Sequence, residues 1–210
     1  VFPSRVDYYY NTGKKVIQDN KKGIRDIIVG DYVEPGVWNK LYRADILKEL
    51  RMPPDIKINE DVIFNFYAFV NSQKSVYEDI PYYYYLVRKG SAANSELNEN
   101  QLFDPVKVRK MIYEYCMSNL DDKLKSIAYC SYLNSIMRLY RTVHNNSLNQ
   151  YKTEAKFYRE QIKKEKCRFV LSKRVLIDKL LFFHCTGLLM FIYNIYDKFL
   201  SKNTNKYEVK

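Results

Sequence analysis

Two observations predict a mixed α/β region followed by an all-helical one. Up to about residue 90, short apolar runs rich in Tyr, Val and Ile alternate with turn chemistry, as strands and short helices do. From about Asp104 onward only helical periodicity remains. Charge divides in the same place: residues 1–100 hold 14 basic and 14 acidic side chains and residues 101–210 hold 21 and 10, so the second half supplies the whole net charge of +11. The reading is of two parts, residues 1–100 and residues 101–210.

The elements follow in order along the first part. Val6 to Tyr10 is β-rich, and Asn11-Thr12-Gly13-Lys14 turns the chain into Lys15-Val16-Ile17, a hairpin pattern. After a polar stretch, Tyr32 to Gly36 reads as a loop that leads into Val37-Trp38-Asn39-Lys40-Leu41-Tyr42. Arg43 to Leu50 predicts a short helix, stopped by Met52-Pro53-Pro54. The next helix begins near Ile58-Asn59-Glu60-Asp61, with Asn59 as N-cap and two acids in the first turn, where the helix dipole favours them. Ile63, Phe66, Tyr67 and Val70 would form its buried stripe. Ser75 to Asp79 and Tyr82 to Arg88 are strand candidates broken at Pro81, and Lys89 to Ser95 reads as a loop.

The second part predicts four helices, near 104–119, 122–144, 149–166 and 174–200. In the last, Leu180 to Tyr196 carries no Asp, Glu, Lys or Arg, a length at the bottom of the membrane-spanning range. The segment suits a buried core helix, an in-plane helix at a membrane surface, or a span. Lys163, Lys164, Lys166, Arg168, Lys173 and Arg174 precede it as a polybasic segment. These charges suit an anionic membrane surface or the solvated faces of two helices.

Composition excludes several classes. With 210 residues, 47% hydrophobic and 28% charged, the chain is globular. Its six Gly form no G-x-G-x-x-G or G-x-x-x-x-G-K-[ST] spacing, so it holds no glycine-rich phosphate loop. Cys116, Cys130, Cys167 and Cys185 form no C-x-x-C pair, which argues against a zinc site or redox dithiol and suits a reducing cytoplasm. His144 and His184 have no ligand or triad partner at suitable spacing. A nucleic-acid reading is weak, because the Tyr-rich half is neutral and carries no RNP-like pattern.

Glu60-Asp61 is the sharpest feature, and its context sharpens it further. Trp38-Asn39-Lys40-Leu41-Tyr42, then Pro53, then Glu60-Asp61, then Pro81-Tyr82-Tyr83-Tyr84-Tyr85, then Arg88-Lys89-Gly90-Ser91 stand in one order. Over about residues 1–95 this order resembles the second half of the catalytic domain of bacterial family 2 glycosyltransferases, inverting enzymes with a GT-A-type fold. Such enzymes build capsular, exopolysaccharide and cell-envelope glycans.

The resemblance implies a hexosyl transfer from a nucleotide-sugar donor to a lipid-linked or polysaccharide acceptor, at the inner face of the cell membrane. It implies Asp61 as the general base on the acceptor hydroxyl and Glu60 as its partner. Arg88, Lys89 and Ser91 would close over the donor diphosphate, while Trp38 and Lys40 would shape the floor of the site. The partial GT-A-type sheet would then be followed by the helical region, whose hydrophobic last helix is also similar in character to these enzymes.

The family holds a divalent metal, Mg or Mn, on the donor diphosphate through an Asp-x-Asp, and no Asp-x-Asp occurs in these 210 residues. The expectation is a longer parent in which Val1 follows that motif, with roughly 90 residues of βαβ units ahead of it. By itself the chain is then expected to bind no metal and to be inactive. The alternative from a different class is a non-catalytic membrane-surface or interaction module built on a transferase half.

Overall fold

A computed structural model describes residues 12–30, 33–83, 97–165 and 171–195. Helix accounts for 66% of them and the only sheet among them is a two-stranded antiparallel one, so the coarse class is mixed α+β dominated by helix. Contacts divide the chain into two compact units at the Asp104–Pro105 bond.

The first unit begins with β1 (Lys15–Asp19), which runs directly into α1 (Asn20–Val29). Asp19 starts this helix by accepting the Lys22 amide at 2.8 Å, and Gly30 ends it in the left-handed region at φ 80°. The sequence reading passed over α1 as a polar stretch. Its buried face is carried by Ile24, Ile27 and Ile28 with Gly23 and a buried Asp26, against exposed Lys21 and Lys22 and a half-buried Arg25. That glycine is needed where it stands, because a Cβ would lie 2.9 Å from a ring carbon of Phe69.

A short α2 (Ala44–Leu47) and then α3 (Glu60–Asn71) lead to β2 (Lys74–Glu78). β2 pairs with β1 antiparallel, Lys15 opposite Glu78 and Asp19 opposite Lys74. The partner of β1 among the described residues is therefore reached across three helices, and Val6 to Tyr10, the expected hairpin strand, lies outside them. Core residues Ile24, Ile27 and Ile28 pack with Val62, Ile63, Phe66 and Ala68 of α3. The buried stripe of α3 is thus turned from the expected one: Ile63 and Phe66 are buried, whereas Tyr67 and Val70 are only half-buried.

Of the strand expected over Tyr82 to Arg88, Tyr82 and Tyr83 are not in a strand and residues 84–88 lie outside the described residues. The Tyr82 amide donates to Ile80 O at 2.9 Å across Pro81, a three-residue turn, and both rings are exposed.

The helix α4 (Glu99–Asn119) begins five residues before its expected start. Asn98 and Gln101 cap it reciprocally, each side chain accepting the other's amide at 3.1 Å. In the second unit it is followed by α5 (Asp122–Asn145), a 3₁₀ turn (Asn149–Tyr151), α6 (Lys152–Lys164), α7 (Lys173–His184) and α8 (Thr186–Ile195). Tyr129, Tyr132, Leu133, Ile136, Ile162, Phe182 and Leu189 fill its core.

The predicted helix over 174–200 is two helices. The break falls at Cys185, whose φ of −137° leaves the helical region. Arg159 holds the end of α7, donating to Phe182 O at 3.1 Å, Phe183 O at 3.0 Å and Thr186 Oγ1 at 3.2 Å. A guanidinium on terminal carbonyls stabilises a helix C-terminus. No described helix is long and apolar enough to cross a membrane.

Candidate functional site

Asp61 stands in the first turn of α3, on a lead-in held from two sides. The Asp104 carboxylate, fully buried, accepts the Lys57 amide at 2.8 Å and the Ile58 amide at 3.2 Å. Asn59 then turns the chain at φ 69°, ψ 20°, a left-handed conformation that Asn tolerates better than most residues. Asn59 is the N-cap by position, as expected, yet its side chain makes no capping bond. Asp61 supplies one instead, its Oδ1 accepting the Val62 amide at 2.8 Å.

The segment from Val33 to Tyr42 is strapped to the same helix by Asn65, one turn beyond Asp61 and fully buried. Asn65 Nδ2 donates to Pro35 O, and the Tyr42 hydroxyl donates to Asn65 Oδ1. A polar side chain in the apolar run Val62 to Phe69, spaced i, i+4 from Asp61, was the signal for this role. Sequence reasoning missed Asn65 and Tyr42 because neither carries reacting chemistry.

Lys40 organises the loop itself. Its ammonium donates to Glu34 O, to Gly36 O at 2.6 Å and to Asn39 Oδ1 at 2.7 Å. A loop without regular secondary structure has carbonyls to satisfy, and one cation here satisfies three acceptors. The Trp38 indole folds over Gly36, where a Cβ would lie 2.2 Å from its Nε1, so only glycine admits the ring. Its centroid is 4.8 Å from that of Tyr83, inclined 37°. Trp38 is 37% exposed and Tyr83 52%, so this ring pair belongs to the surface and not to the core.

Electrostatics tie these residues to Asp61. Burial pushes the Asp61 carboxyl above its ordinary value, and the Glu60 charge pushes it further; the Val62 amide and Lys40 pull it back. Burial brings the Lys40 ammonium down to about 8, while the charges of Asp61 and Glu34 oppose the fall. The Tyr42 hydroxyl is pushed up to about 12 by burial and by Asp61, so it stays protonated as a donor to Asn65. Asp61, Lys40 and Tyr42 thus share one half-buried neighbourhood, and Trp38, on the same loop as Lys40, meets Tyr83 beyond β2. Glu60 adjoins Asp61 in the first turn, as expected. Arg88, Lys89 and Ser91 lie outside the described residues.

A divalent metal does not fit this neighbourhood. Among the described residues no three His, Cys, Asp or Glu side chains converge, one Asp61 oxygen is engaged by an amide, and Lys40 brings a positive charge. Comparison with protein-family models, with curated proteins and with solved structures gives no match.

Proposed function

We propose that this chain is the acceptor-side part of a glycosyltransferase. Its parent would move a hexosyl group from a nucleotide-sugar donor to a lipid-linked or polysaccharide acceptor, with inversion at the anomeric carbon and a GT-A-type sheet completed by the parent. The observation that carries the reading is the Asp61 neighbourhood: a half-buried carboxylate at a helix start, electrostatically coupled to Lys40, on the loop that displays Trp38 beside Tyr83. The order of motifs from Trp38 to Arg88 supports the same reading.

In this mechanism the acceptor oxygen attacks the anomeric carbon as the bond from that carbon to the donor phosphate breaks. The acceptor proton passes to Asp61. Since Oδ1 is engaged by Val62, Oδ2 is the receiving oxygen. The ionised carboxylate also offsets positive charge developing on the sugar ring. Lys40 holds the loop, and its charge opposes the burial that favours the protonated form of Asp61. Trp38 and Tyr83 offer apolar ring faces to a pyranose.

The test is transfer by the native protein purified from its source, in whatever length it occurs there, with a panel of nucleotide sugars and membrane-extracted acceptor. Asp61→Asn is expected to abolish transfer with donor affinity nearly intact. Full transfer by that variant would remove Asp61 from the mechanism.

A further inference from the structure

The α7–α8 hairpin carries apolar side chains on two sides, and only one side is covered. Phe182, Leu189 and Met190 are buried in the second unit. Leu176, Ile177 and Leu180 of α7, with Leu188, Phe191, Ile192 and Ile195 of α8, remain 39–62% exposed. Their spacing is that of a helix face: Leu188, Phe191, Ile192 and Ile195 stand at i, i+3, i+4 and i+7, as do Lys173, Leu176, Ile177 and Leu180. The face on α8 continues into an open groove of about 420 Å³ against α5, lined by Tyr140, Met190 and Phe191.

Cations stand at one end of this surface. Lys173 and Arg174 are exposed in the first turn of α7, whereas Lys179 lies over the Tyr129 ring at 5.0 Å. No Asp, Glu, Lys or Arg occurs from Leu180 to Ile195, and Asp178 of α7 is half-buried beside Tyr193, on which Arg174 also bears. Helices of 12 and 10 residues are only about 18 and 15 Å long, too short for the roughly 30 Å hydrocarbon core. They are long enough to lie in the headgroup plane with apolar side chains at the acyl boundary.

We infer that the outer face of α7–α8 is a monotopic docking surface for an anionic phospholipid bilayer. Its apolar residues enter the acyl boundary, and Lys173 and Arg174 meet headgroup phosphates. Charge decides for lipid over a second copy of the chain, because residues 101–210 hold 21 basic against 10 acidic side chains and would repel their own copy. The inference rests on this face alone and not on the transferase reading.

Sedimentation of the full chain with sucrose-loaded vesicles tests it. The chain is expected to pellet with phosphatidylglycerol-containing vesicles at low salt and to be released in large part at high salt. Neutralising both cations, Lys173→Gln with Arg174→Gln, is expected to weaken that binding about thirty-fold, and to leave the weaker binding to pure phosphatidylcholine unchanged. Phe191→Asp with Ile192→Asp is expected to abolish pelleting; Leu176→Gln with Leu180→Gln gives a milder loss should the first pair fail to fold by circular dichroism. A chain that stays in the supernatant at low salt overturns the proposal. So do variants that pellet like the wild type, and so does a wild-type dimer in sedimentation velocity that Phe191→Asp dissociates, which would assign the face to a second copy.

Discussion

Replacing Lys40 by Met keeps the length of the side chain and removes the ammonium on which the Trp38 loop depends. Three acceptors lose their donor: Glu34 O, Gly36 O and Asn39 Oδ1. Hydrogen bonds to a charged group contribute ~1.5–3 kcal/mol each. Against them stands the burial that lowers the ammonium from 10.5 to about 8, which disfavours the charged form by ~3 kcal/mol. The balance is a loss of about 1.5–6 kcal/mol of stability in Lys40→Met. The chain has one Trp, and it sits on this loop, so urea unfolding followed by fluorescence excited beyond Tyr absorption reads the site directly.

The pH dependence carries the same signature. A lysine lowered to about 8 gives up its proton in the folded state before the unfolded chain does at its ordinary 10.5. Between those values the unfolded chain binds more protons, so the contribution of Lys40 to stability rises with pH. Wild type is expected to show this rise and a change in Trp38 emission centred near pH 8; Lys40→Met is expected to show neither. Equal urea midpoints for the two proteins, or a Trp38 emission flat across that range, would refute the arrangement.

Three further substitutions follow from the same neighbourhood. Asn59→Gly is expected to hold or raise stability, since φ is 69° there and the side chain caps nothing, while Asn59→Val should cost ~1–2 kcal/mol in the same urea assay. Gly36→Ala places a methyl 2.2 Å from Trp38 Nε1, so the indole must move; a red-shifted emission and a loss of ~1–3 kcal/mol are expected. For Asp61, a carboxyl raised above 3.8 is ionised only at higher pH, so the acid limb of a transfer profile should lie above that value and Glu60→Gln should shift it down. On stability the sign is opposite: the folded chain keeps this proton longer than the unfolded one, so Asp61 subtracts stability as pH rises from 3.8.

Long periodic helices were legible before the fold. The starts of α5 and α7 carry their own caps, Asp121 on the Leu124 amide and Ser172 on the Val175 amide. Local chemistry of this kind reads directly from sequence. The split at Cys185 was hidden within an apolar run, and the side chain that satisfies the carbonyls there, Arg159, is more than twenty residues away on another helix. α1 was hidden because three isoleucines and a packed glycine make a face only when Phe69 is already in place.

The site divides in the same way. Glu60 and Asp61 were visible as acids at a helix start, and Trp38 and Lys40 as residues of a recognisable segment. What joins them was not visible: Asn65 reaching Pro35 and Tyr42, and Lys40 gathering three acceptors, are contacts between a loop and a helix. Trp38 and Tyr83 meet through a turn at Pro81 that a strand reading would have kept apart.

Transfer of a hexosyl group by the native protein, measured side by side with Asp61→Asn and with the donor affinity of both, tests the central proposal most directly. The prediction is transfer by the native protein, none by the variant, and donor dissociation constants equal to within a few-fold. Absence of transfer from every nucleotide sugar by the native protein, or undiminished transfer by Asp61→Asn, would contradict it.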